Sequence, residues 1–538
     1  MTRHDGALAA LAAVCGAIAI AFTWQPGLAS LYDDSVFYLM MAQAMSPFGS
    51  ASAAVMSAAP FDTYPPFLPL LLALGGGAFD WHVAHAIVSM AFAASVFLLG
   101  IYTRQVTGSG PMGIMAALIY AVMPGTWLNI KGILSEFPYM ALSFAALVLH
   151  QRWHAAAPSV TRAVVLGLLF AALVLTRTVG VALVAAIAAA ETYRWWKERD
   201  RRRLVGAALV VAVPAIITAL WILLRPSSGQ DAYAEFGARV AGAARAGGAT
   251  WALTLLSANL SAVIDAWLNA LLIFWGEWWR PKYLLALALG IAALAALAWR
   301  ALRAQADALY CFAFLAIVLA WPFPGQMYRL ALPVIPVAMV ALLWAWRELL
   351  VRYRPGTEAR APWGAVLPLA LCVPPTLFYI AERANAGSEG APGARMSEIA
   401  EFYRVPSGPS AAVNAAAQIG VFEDLRRIGT TTPIDARVMW YSPAYVALLS
   451  GRRGFRLERP ADTEELEAQL RASGADYLYL AQLHPRDSAR RLGHPLDPLV
   501  QAEHLARVLW RRDGPGGEPR GVLLEVDRGK IPKTKTTP

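Results

Sequence analysis

Long apolar segments, separated by short loops that carry arginine, constrain this 538-residue chain more than any other feature. A membrane-spanning helix needs about 20 apolar residues, and eleven segments come close to that length. They are 7–24, 82–103, 111–130, 137–151, 161–176, 178–193, 205–224, 282–300, 305–321, 330–347 and 363–381. The two segments beside Arg177 can also form one long broken helix. The sequence therefore predicts an α-helical polytopic membrane protein with about eleven transmembrane helices.

The composition agrees with a lipid bilayer as the partner of this chain. Hydrophobic residues make up 58% of it and charged residues only 15%, and its 19 tryptophans suit the aromatic belts of membrane proteins. The net charge of +10 would also suit nucleic acid. However, the basic residues cluster in short runs beside apolar segments, as at positions 194–203, which is typical of cytoplasmic loops. We therefore expect no nucleic-acid partner.

The basic loops also predict an orientation, because cytoplasmic loops are enriched in lysine and arginine. We interpret the first apolar run as a retained helix with a cytoplasmic N-terminus. Loops 25–66, 131–136, 225–281 and 322–329 then lie outside, together with everything after residue 382. Residues 67–79 are too short to cross a bilayer and are expected to be re-entrant or interfacial.

The character of the sequence changes after the last apolar segment. We expect a transmembrane domain at 1–381, a linker rich in Gly, Ala and Ser at 382–395, and a small periplasmic α/β domain at 396–538. In that domain the pattern predicts helices at 409–425 and 463–472, the second capped by Asp462. Strands are predicted at 436–440 and 476–480, and a hairpin is predicted from 508–510 and 522–526.

Two adjacent carboxylates, Asp33 and Asp34, follow the first apolar segment on the predicted outer side. At a membrane edge such a pair can bind a metal or accept a proton from an attacking hydroxyl. Tyr38 lies one helical turn after Asp34, so both could face one cavity. The alternative is a pair of solvated carboxylates that cap a surface helix.

Further polar residues recur at the outer ends of later segments. Tyr64 precedes Pro65 and Pro66, which fix the backbone where the chain returns to the membrane, although a simple helix start is also possible there. Lys131 and Glu136 lie between two apolar segments. They are functional candidates, with a salt-bridged interfacial loop as the alternative.

Two lone arginines complete the set of candidates. Arg177 interrupts a long apolar stretch, and Arg329 follows Tyr328 at the outer end of another segment. Paired N–H donors suit arginine to phosphate, and the alternative is a snorkelling side chain. The sequence contains no G-x-x-x-x-G-K-[ST] motif and no G-x-G-x-x-G placed between a strand and a helix, so a soluble nucleotide is not an obvious substrate. One natural alternative is a phosphate carried by a membrane-dissolved lipid.

The order of these motifs resembles the GT-C superfamily of membrane glycosyltransferases over roughly residues 1–350. The closest groups are the bacterial protein-mannosyltransferase-like and aminoarabinose-transferase-like enzymes. The motifs are the acidic pair, Tyr64-Pro65-Pro66, Ser135-Glu136, Leu175-Thr176-Arg177, and Tyr328-Arg329 followed by Pro333. In the aminoarabinose transferases a Glu-Lys pair precedes the proline, and Thr63 and Tyr64 occupy those positions here.

The resemblance implies a polyprenyl-phosphate sugar donor, a glycan, lipid or protein acceptor, and a site on the periplasmic side of a bacterial inner membrane. It implies catalytic roles for Asp34 or Asp33 and for Glu136. Asp33 and Asp34 would also be the ligands of a divalent cation, Mg or Mn, if one is used. The substrate-binding candidates are Tyr38, Tyr64, Lys131, Arg177, Tyr328 and Arg329.

Two other functions remain open at this stage. An enzyme similar to O-antigen ligases or polymerases would use the same arginines, although the early acidic pair is less expected there. A secondary transporter would carry inverted repeats and broken helices at the membrane midplane. We find no internal repeat, and the candidate charges gather at one face.

Overall fold

The computed structural model describes residues 3–24, 33–154, 159–226, 232–276, 278–385, 408–483, 501–514, 517 and 519–531. Most of the described chain is helical. The first helices are α1 (Arg3–Trp24), α2 (Asp33–Met45), α3 (Ala53–Ala58), α4 (Phe67–Leu74), α5 (Trp81–Thr107), α6 (Gly110–Val122), α7 (Pro124–Ile130), α8 (Glu136–His154), α9 (Val160–Val174), α10 (Val181–Glu198) and α11 (Arg201–Leu224). The next are α12 (Ala232–Leu272), α13 (Pro281–Ala301), α14 (Ala306–Leu319), α15 (Met327–Leu330), α16 (Ile335–Tyr353) and α17 (Val366–Asn385). Short 3-10 turns occupy Thr178–Gly180, Pro324–Gln326 and Glu358–Ala365.

Several of these helices are long and apolar enough to cross a membrane. Among the described residues, six helices are long and apolar enough to span a membrane. The number rises to eight if each of two bent helix pairs is counted as one span. One pair joins α6 to α7 with a bend of 54°, and the other joins Pro324–Leu330 to α16 with a bend of 58°. The prediction of a polytopic helical membrane protein is confirmed. The helix α4 has eight residues, too few to cross.

One segment differs from the sequence-based expectation. The prediction that 225–281 is a loop is wrong for most of its length, because α12 covers Ala232–Leu272. Its first half is rich in Gly and Ala, and polar residues interrupt its second half, so its hydropathy is lower than that of the other candidate spans. The helix breaks at Gly248, whose φ of 52° and ψ of −137° favour glycine. Asn259 ties its second half to the end of α14 by donating to the carbonyls of Leu319 and Trp321.

The helix α5 lies at the centre of the transmembrane part, where it contacts α1, α6 and α8. Its contact with α6 is close because glycines face each other. A Cβ atom on Gly113 would lie 2.6 Å from the backbone oxygen of Gly100. Small residues at such crossings let helix backbones approach closely, which increases van der Waals contact in a bilayer.

The C-terminal part forms a five-stranded mixed sheet with helices. Its elements are α18 (Gly408–Thr431), β1 (Arg437–Trp440), α19 (Pro443–Ser450), β2 (Arg453–Arg456), α20 (Thr463–Ser473), β3 (Tyr477–Ala481), β4 (Ala506–Asp513) and β5 (Pro519–Val526). The strand order is β2-β1-β3-β5-β4. Strand β1 pairs in parallel with β2 and β3, and β5 pairs antiparallel with β3 and β4.

The elements expected from the sequence of this region are confirmed. The helices and strands match α18, α20, β1 and β3, and β4 and β5 form the predicted hairpin. Asp462 caps α20 by accepting from the backbone N–H of Glu465 at 2.9 Å. The sequence analysis missed β2 and α19. The helix α17 continues to Asn385, and the rest of the predicted linker lies outside the described residues.

A buried ion pair links α18 to the sheet. The carboxylate of Asp424 accepts from the Tyr479 hydroxyl at 2.8 Å and from Arg512 Nε at 2.9 Å. Burial and the neighbouring Asp424 carboxylate raise the pKa of Tyr479 well above its ordinary value. The Tyr479 hydroxyl therefore stays protonated into more alkaline solution than an ordinary tyrosine and remains a donor to Asp424.

The C-terminal part rests on the helices that follow the first span. The helix α19 contacts α2 and α3. Phe422 on α18 packs against the Trp81 ring with centroids 5.5 Å apart, and the guanidinium of Arg426 lies 5.1 Å from the same ring. The C-terminal part thus contacts the helix that carries Asp34.

The α5–α6 crossing gives a direct test of the fold. Replacing Gly113 with Ala places a methyl group against the Gly100 carbonyl, and we expect a loss of about 1–3 kcal/mol of stability from overpacking. The control is Gly6→Ala in α1, where the structure has no heavy atom within 4 Å of the added Cβ. Thermal unfolding of the purified protein in detergent measures both. Equal melting temperatures for the two variants would contradict the packing.

Candidate functional site

The acidic pair begins a helix, and this places Asp34 and Tyr38 one turn apart on its inner face. The helix α2 starts at Asp33. Tyr38 is buried, and its hydroxyl donates to Ser135 Oγ at 3.0 Å. The side chain of Asp34 is 30% exposed. The spacing noted in the sequence therefore directs both residues toward the start of α8.

The proline-rich segment brings Tyr64 beside Asp34. Its hydroxyl donates to Asp34 Oδ1 at 2.9 Å. Two long-range backbone contacts fix this segment: the N–H of Phe67 donates to the Leu175 carbonyl at 2.9 Å, and Arg225 Nη1 donates to the Asp62 carbonyl at 2.6 Å. The prolines free this backbone from regular pairing, and distant elements then hold it.

Glu136, the first residue of α8, forms the floor of the site. It is completely buried. Its Oε1 lies 2.8 Å from Arg177 Nη1 and accepts from Arg329 Nε at 3.0 Å. A buried carboxylate is tolerated only when it is paired and hydrogen-bonded, and two guanidinium groups meet that need here.

Arg329 connects the two carboxylates. Its Nη2 lies 2.9 Å from Asp34 Oδ2 and 2.9 Å from Glu136 Oε1. This arginine lies in α15, at the bend before α16, where the chain is not a continuous span. The planar fork of arginine can donate to two acceptors at once. A single side chain therefore joins residues that are about 100 positions apart in the sequence.

Arg177 reaches the site through a helix break. It follows the end of α9 in an extended conformation, with φ −151° and ψ 128°, before the 3-10 turn at Thr178–Gly180. Besides its contact with Glu136, its Nη1 donates to Ser135 Oγ at 3.4 Å. The helix is interrupted at Arg177, as the sequence indicated, and this break directs the Arg177 side chain toward Glu136.

The site has a gradient from open to closed. Side-chain exposure falls from 30% at Asp34 to 19% at Arg329, 14% at Arg177 and zero at Glu136. Among the described residues, Nη1 of Arg329 and Nη2 of Arg177 have no hydrogen-bond partner. Glu136 Oε2 is buried and likewise lacks a donor in the described part of the chain. The two arginine N–H groups, on partly exposed side chains, are available to an anionic ligand, whereas Glu136 Oε2 is enclosed by the protein.

The structure thus brings together six of the residues selected from the sequence: Asp34, Tyr38, Tyr64, Glu136, Arg177 and Arg329. Asp33 is the first residue of α2, and its side chain lies outside the described residues. Lys131 ends α7 and is half-buried, and Tyr328 is 43% exposed. The structure shows which of these residues lie together, and the catalytic and binding roles of all of them remain predictions.

Two contributing residues were missed by the sequence analysis. Ser135 Oγ accepts hydrogen bonds from Tyr38 and Arg177. In the sequence, only its position directly before Glu136 could have indicated this. Arg225 holds the backbone beside Tyr64, and its signal was a lone arginine at the end of α11. Contacts over such sequence distances leave no local pattern.

The described donor set does not fit a magnesium or manganese ion. In the part of the chain that the structure describes, no three His, Cys, Asp or Glu side chains lie together in a way that could hold a metal. Both oxygens of Asp34 already accept hydrogen bonds. Such ions prefer several oxygen ligands. Because the side chain of Asp33 lies outside the described residues, a cation bound by Asp33 and Asp34 together remains a prediction.

Comparison with solved structures finds this fold in membrane glycosyltransferases. The chain is similar to the oligosaccharyltransferase of Archaeoglobus fulgidus in complex with Zn and sulfate, with TM-score 0.55 and 14% identity over 97% of this chain and 74% of that one. It is also similar to ArnT from Cupriavidus metallidurans bound to undecaprenyl phosphate, with TM-score 0.53 and 12% identity over 96% and 98% of the two chains. The archaeal enzyme AglB with an inhibitory peptide and a dolichol-phosphate gives TM-score 0.53, 14% identity and coverage of 98% and 75%.

Sequence comparisons add nothing to this result, because no family model and no curated protein matches the chain. At these identities the structural similarity establishes the fold alone. At the level of the fold, it confirms the resemblance to GT-C enzymes that the sequence predicted.

The buried carboxylate gives a test of the site's architecture. Glu136→Ala leaves Arg177 without its carboxylate partner and leaves Arg329 with Asp34 alone. We expect roughly 3–5 kcal/mol of destabilisation, because a buried ion pair has lost one member. Glu348→Ala removes a partly exposed glutamate paired with Arg347, and such pairs contribute about 0–1 kcal/mol. Thermal unfolding in detergent compares the two variants. A Glu136→Ala protein as stable as the control would show that the arginines do not depend on this carboxylate.

Proposed function

We propose that this protein is a glycosyltransferase that moves a monosaccharide from a polyprenyl-phosphate donor to an acceptor hydroxyl on the periplasmic side of the bacterial inner membrane. The observation that carries the proposal is the bridge of Arg329 between Asp34 and Glu136. It places a carboxylate that is open to solvent beside two guanidinium groups with free donors. This combination of charges suits a group transfer from a phosphate to a hydroxyl, because a base and donors to the leaving phosphate lie side by side.

In the proposed reaction the acceptor oxygen attacks the anomeric carbon of the donor sugar. A new C–O bond forms as the bond between that carbon and the phosphate oxygen breaks. Asp34, the most exposed of the site's charged groups, takes the proton of the acceptor hydroxyl. Tyr64 and Arg329 hold its two oxygens, so the carboxylate has a fixed orientation.

The leaving group is the lipid phosphate, and negative charge develops on it as the bond breaks. Nη1 of Arg329 and Nη2 of Arg177 are the donors that we assign to this phosphate. Arginine suits the task because its N–H groups match phosphate oxygens in pairs. Preorganised donors in a partly water-excluded site stabilise developing charge more than water does. Solved structures of the same fold contain undecaprenyl phosphate or a dolichol-phosphate, which supports a lipid-linked donor.

Glu136 has a different task from Asp34 in this proposal. Its burial keeps it from an incoming acceptor, and its Oε1 orients both arginines. Beside Asp34, the Tyr64 ring packs against Phe37 and Tyr38 with centroids 5.2 Å and 5.4 Å apart, and we assign these rings to an apolar wall for the sugar.

The C-terminal part is suited to select the acceptor. It contacts α2, which carries Asp34, and therefore lies on the open side of the gradient in exposure. An acceptor that reaches Asp34 from this side would pass the soluble unit. We assign it this role together with the transmembrane site.

The test is an assay of the purified protein with radiolabelled polyprenyl-phosphate sugars and candidate glycan, lipid and protein acceptors. We expect Asp34→Asn to lower the transfer rate by about 10²–10⁴-fold, because the amide cannot take the proton. The fold should remain intact, since Asp34 is partly exposed and an amide still fits its place.

Two matched variants complete the assay. Asp435→Asn changes an exposed aspartate of the C-terminal part and should leave the rate unchanged. Asp33→Asn determines whether the neighbouring carboxylate shares the task. Full turnover in both the Asp33 and Asp34 variants would remove the proposed base.

A further inference from the structure

A second charged cavity lies at the end of the helices opposite to the candidate site. It is formed where α8 and α10 end and where α9 and α11 begin. Its lining includes His150, Arg162, Glu191, Arg202 and Arg203, with Ser159 at the rim. Since α8 begins at Glu136 and α9 ends just before Arg177, the length of these helices separates the two places.

Basic side chains outnumber acidic ones in the lining of the cavity. Glu191 accepts from Arg194 at 2.8 Å, from Arg203 at 3.2 Å and from His150 at 3.0 Å. Arg203 also contacts Glu198 at 2.7 Å. The side chains of Arg201 and Arg202 form no ion pair or hydrogen bond with any described residue. Three arginines therefore line a cavity in which Glu191 is the single acid.

The size of the cavity suits a small anionic group. Its volume is about 60 Å³, and a water molecule needs roughly 10–15 Å³ on the same measure. The space therefore holds about as many oxygen-sized atoms as a phosphate group contains. A shallow hollow continues from it over Ser159, Val160, Arg201, Arg202 and Val205.

The surroundings of the cavity indicate that the anion belongs to a lipid. Apolar side chains line its inner part, among them Leu166, Ile187 and Val210. Val160 and Val205 beside it are 61% and 48% exposed, so an apolar surface runs from the arginines along α9 and α11. A phosphate at the arginines would leave its hydrocarbon chains against this surface. A soluble anion would make no contact with this apolar surface.

Aromatic residues place the cavity at headgroup depth. Trp196 near the end of α10 is 57% exposed, and Tyr193 lies beside it with Lys197 over its ring at 4.7 Å. Exposed tryptophan and tyrosine mark the membrane–water interface. Basic pockets between transmembrane helices at that level are suited to anionic lipid headgroups.

We propose that the cavity between α8, α9, α10 and α11 binds the phosphate headgroup of an anionic phospholipid in the membrane leaflet opposite to the Asp34 site. Arg162 and Arg202 hold the phosphate oxygens, and Glu191 keeps Arg203 in place. Bound there, the lipid joins the ends of four helices, two of which lead to Glu136 and Arg177. The site does not depend on the proposed transferase activity.

The test is native mass spectrometry of the full-length protein after delipidation in detergent. The protein is titrated with phosphatidylglycerol, phosphatidylcholine and inorganic phosphate in separate arms. We expect saturable binding of phosphatidylglycerol and weaker binding of phosphatidylcholine. The double variant Arg162→Gln, Arg202→Gln should weaken phosphatidylglycerol binding by at least about tenfold, because each lost contact is a charge-assisted hydrogen bond.

The matched control is Arg352→Gln, Arg354→Gln, which removes two arginines from the end of α16 and leaves the cavity intact. It should bind phosphatidylglycerol like the unchanged protein. Equal weakening in both double variants would show a general effect of surface charge and overturn the site. Saturable binding of inorganic phosphate without binding of phosphatidylglycerol would overturn its assignment to a lipid. If the Arg162 and Arg202 variant does not fold, Arg202→Gln alone, at an exposed residue, gives the same comparison.

Discussion

The site depends on one electrostatic constraint, which is that Glu136 is a fully buried carboxylate in a membrane protein. An isolated charge at such a place is too costly to keep, so its partners must come with it. Arg177 and Arg329 supply them from two other segments of the chain. Because Arg329 is held at Glu136, its second ion pair also fixes the position of the Asp34 carboxylate.

Both arginines reach the buried Glu136 from breaks in the helices, not from continuous membrane-spanning helices. Arg177 reaches Glu136 from an extended residue between α9 and a 3-10 turn, and Arg329 does so from the short helix before a bend of 58°. The segment with Tyr64 is held by the carbonyl of Leu175 and by Arg225. Non-helical backbone at membrane depth is tolerated only where protein or a water-filled cavity satisfies it. The breaks in the helices are therefore part of the site.

The sequence predicted the class of the fold and most of the residues that meet, because both leave local signals. Apolar length identifies a span, and a lone charge such as Arg177 stands out within one. The four-residue spacing of Asp34 and Tyr38 also reads directly as one helical turn. The sequence could not show that Tyr64 pairs with Asp34 or that Ser135 joins Tyr38 to Arg177, because tertiary packing determines these contacts. The helix α12 was missed since Gly, Ala and scattered polar residues weaken its apolar pattern.

The central claim is that one set of charges at Asp34, Arg329, Glu136 and Arg177 receives a lipid-linked phosphate. The most direct measurement is an electron cryomicroscopy structure of the protein with undecaprenyl phosphate in a lipid nanodisc. We predict phosphate density within hydrogen-bonding distance of Arg329 and Arg177, with the carboxylate of Asp34 facing it across an open space. A phosphate bound elsewhere, with both arginines turned away from it, would contradict the account.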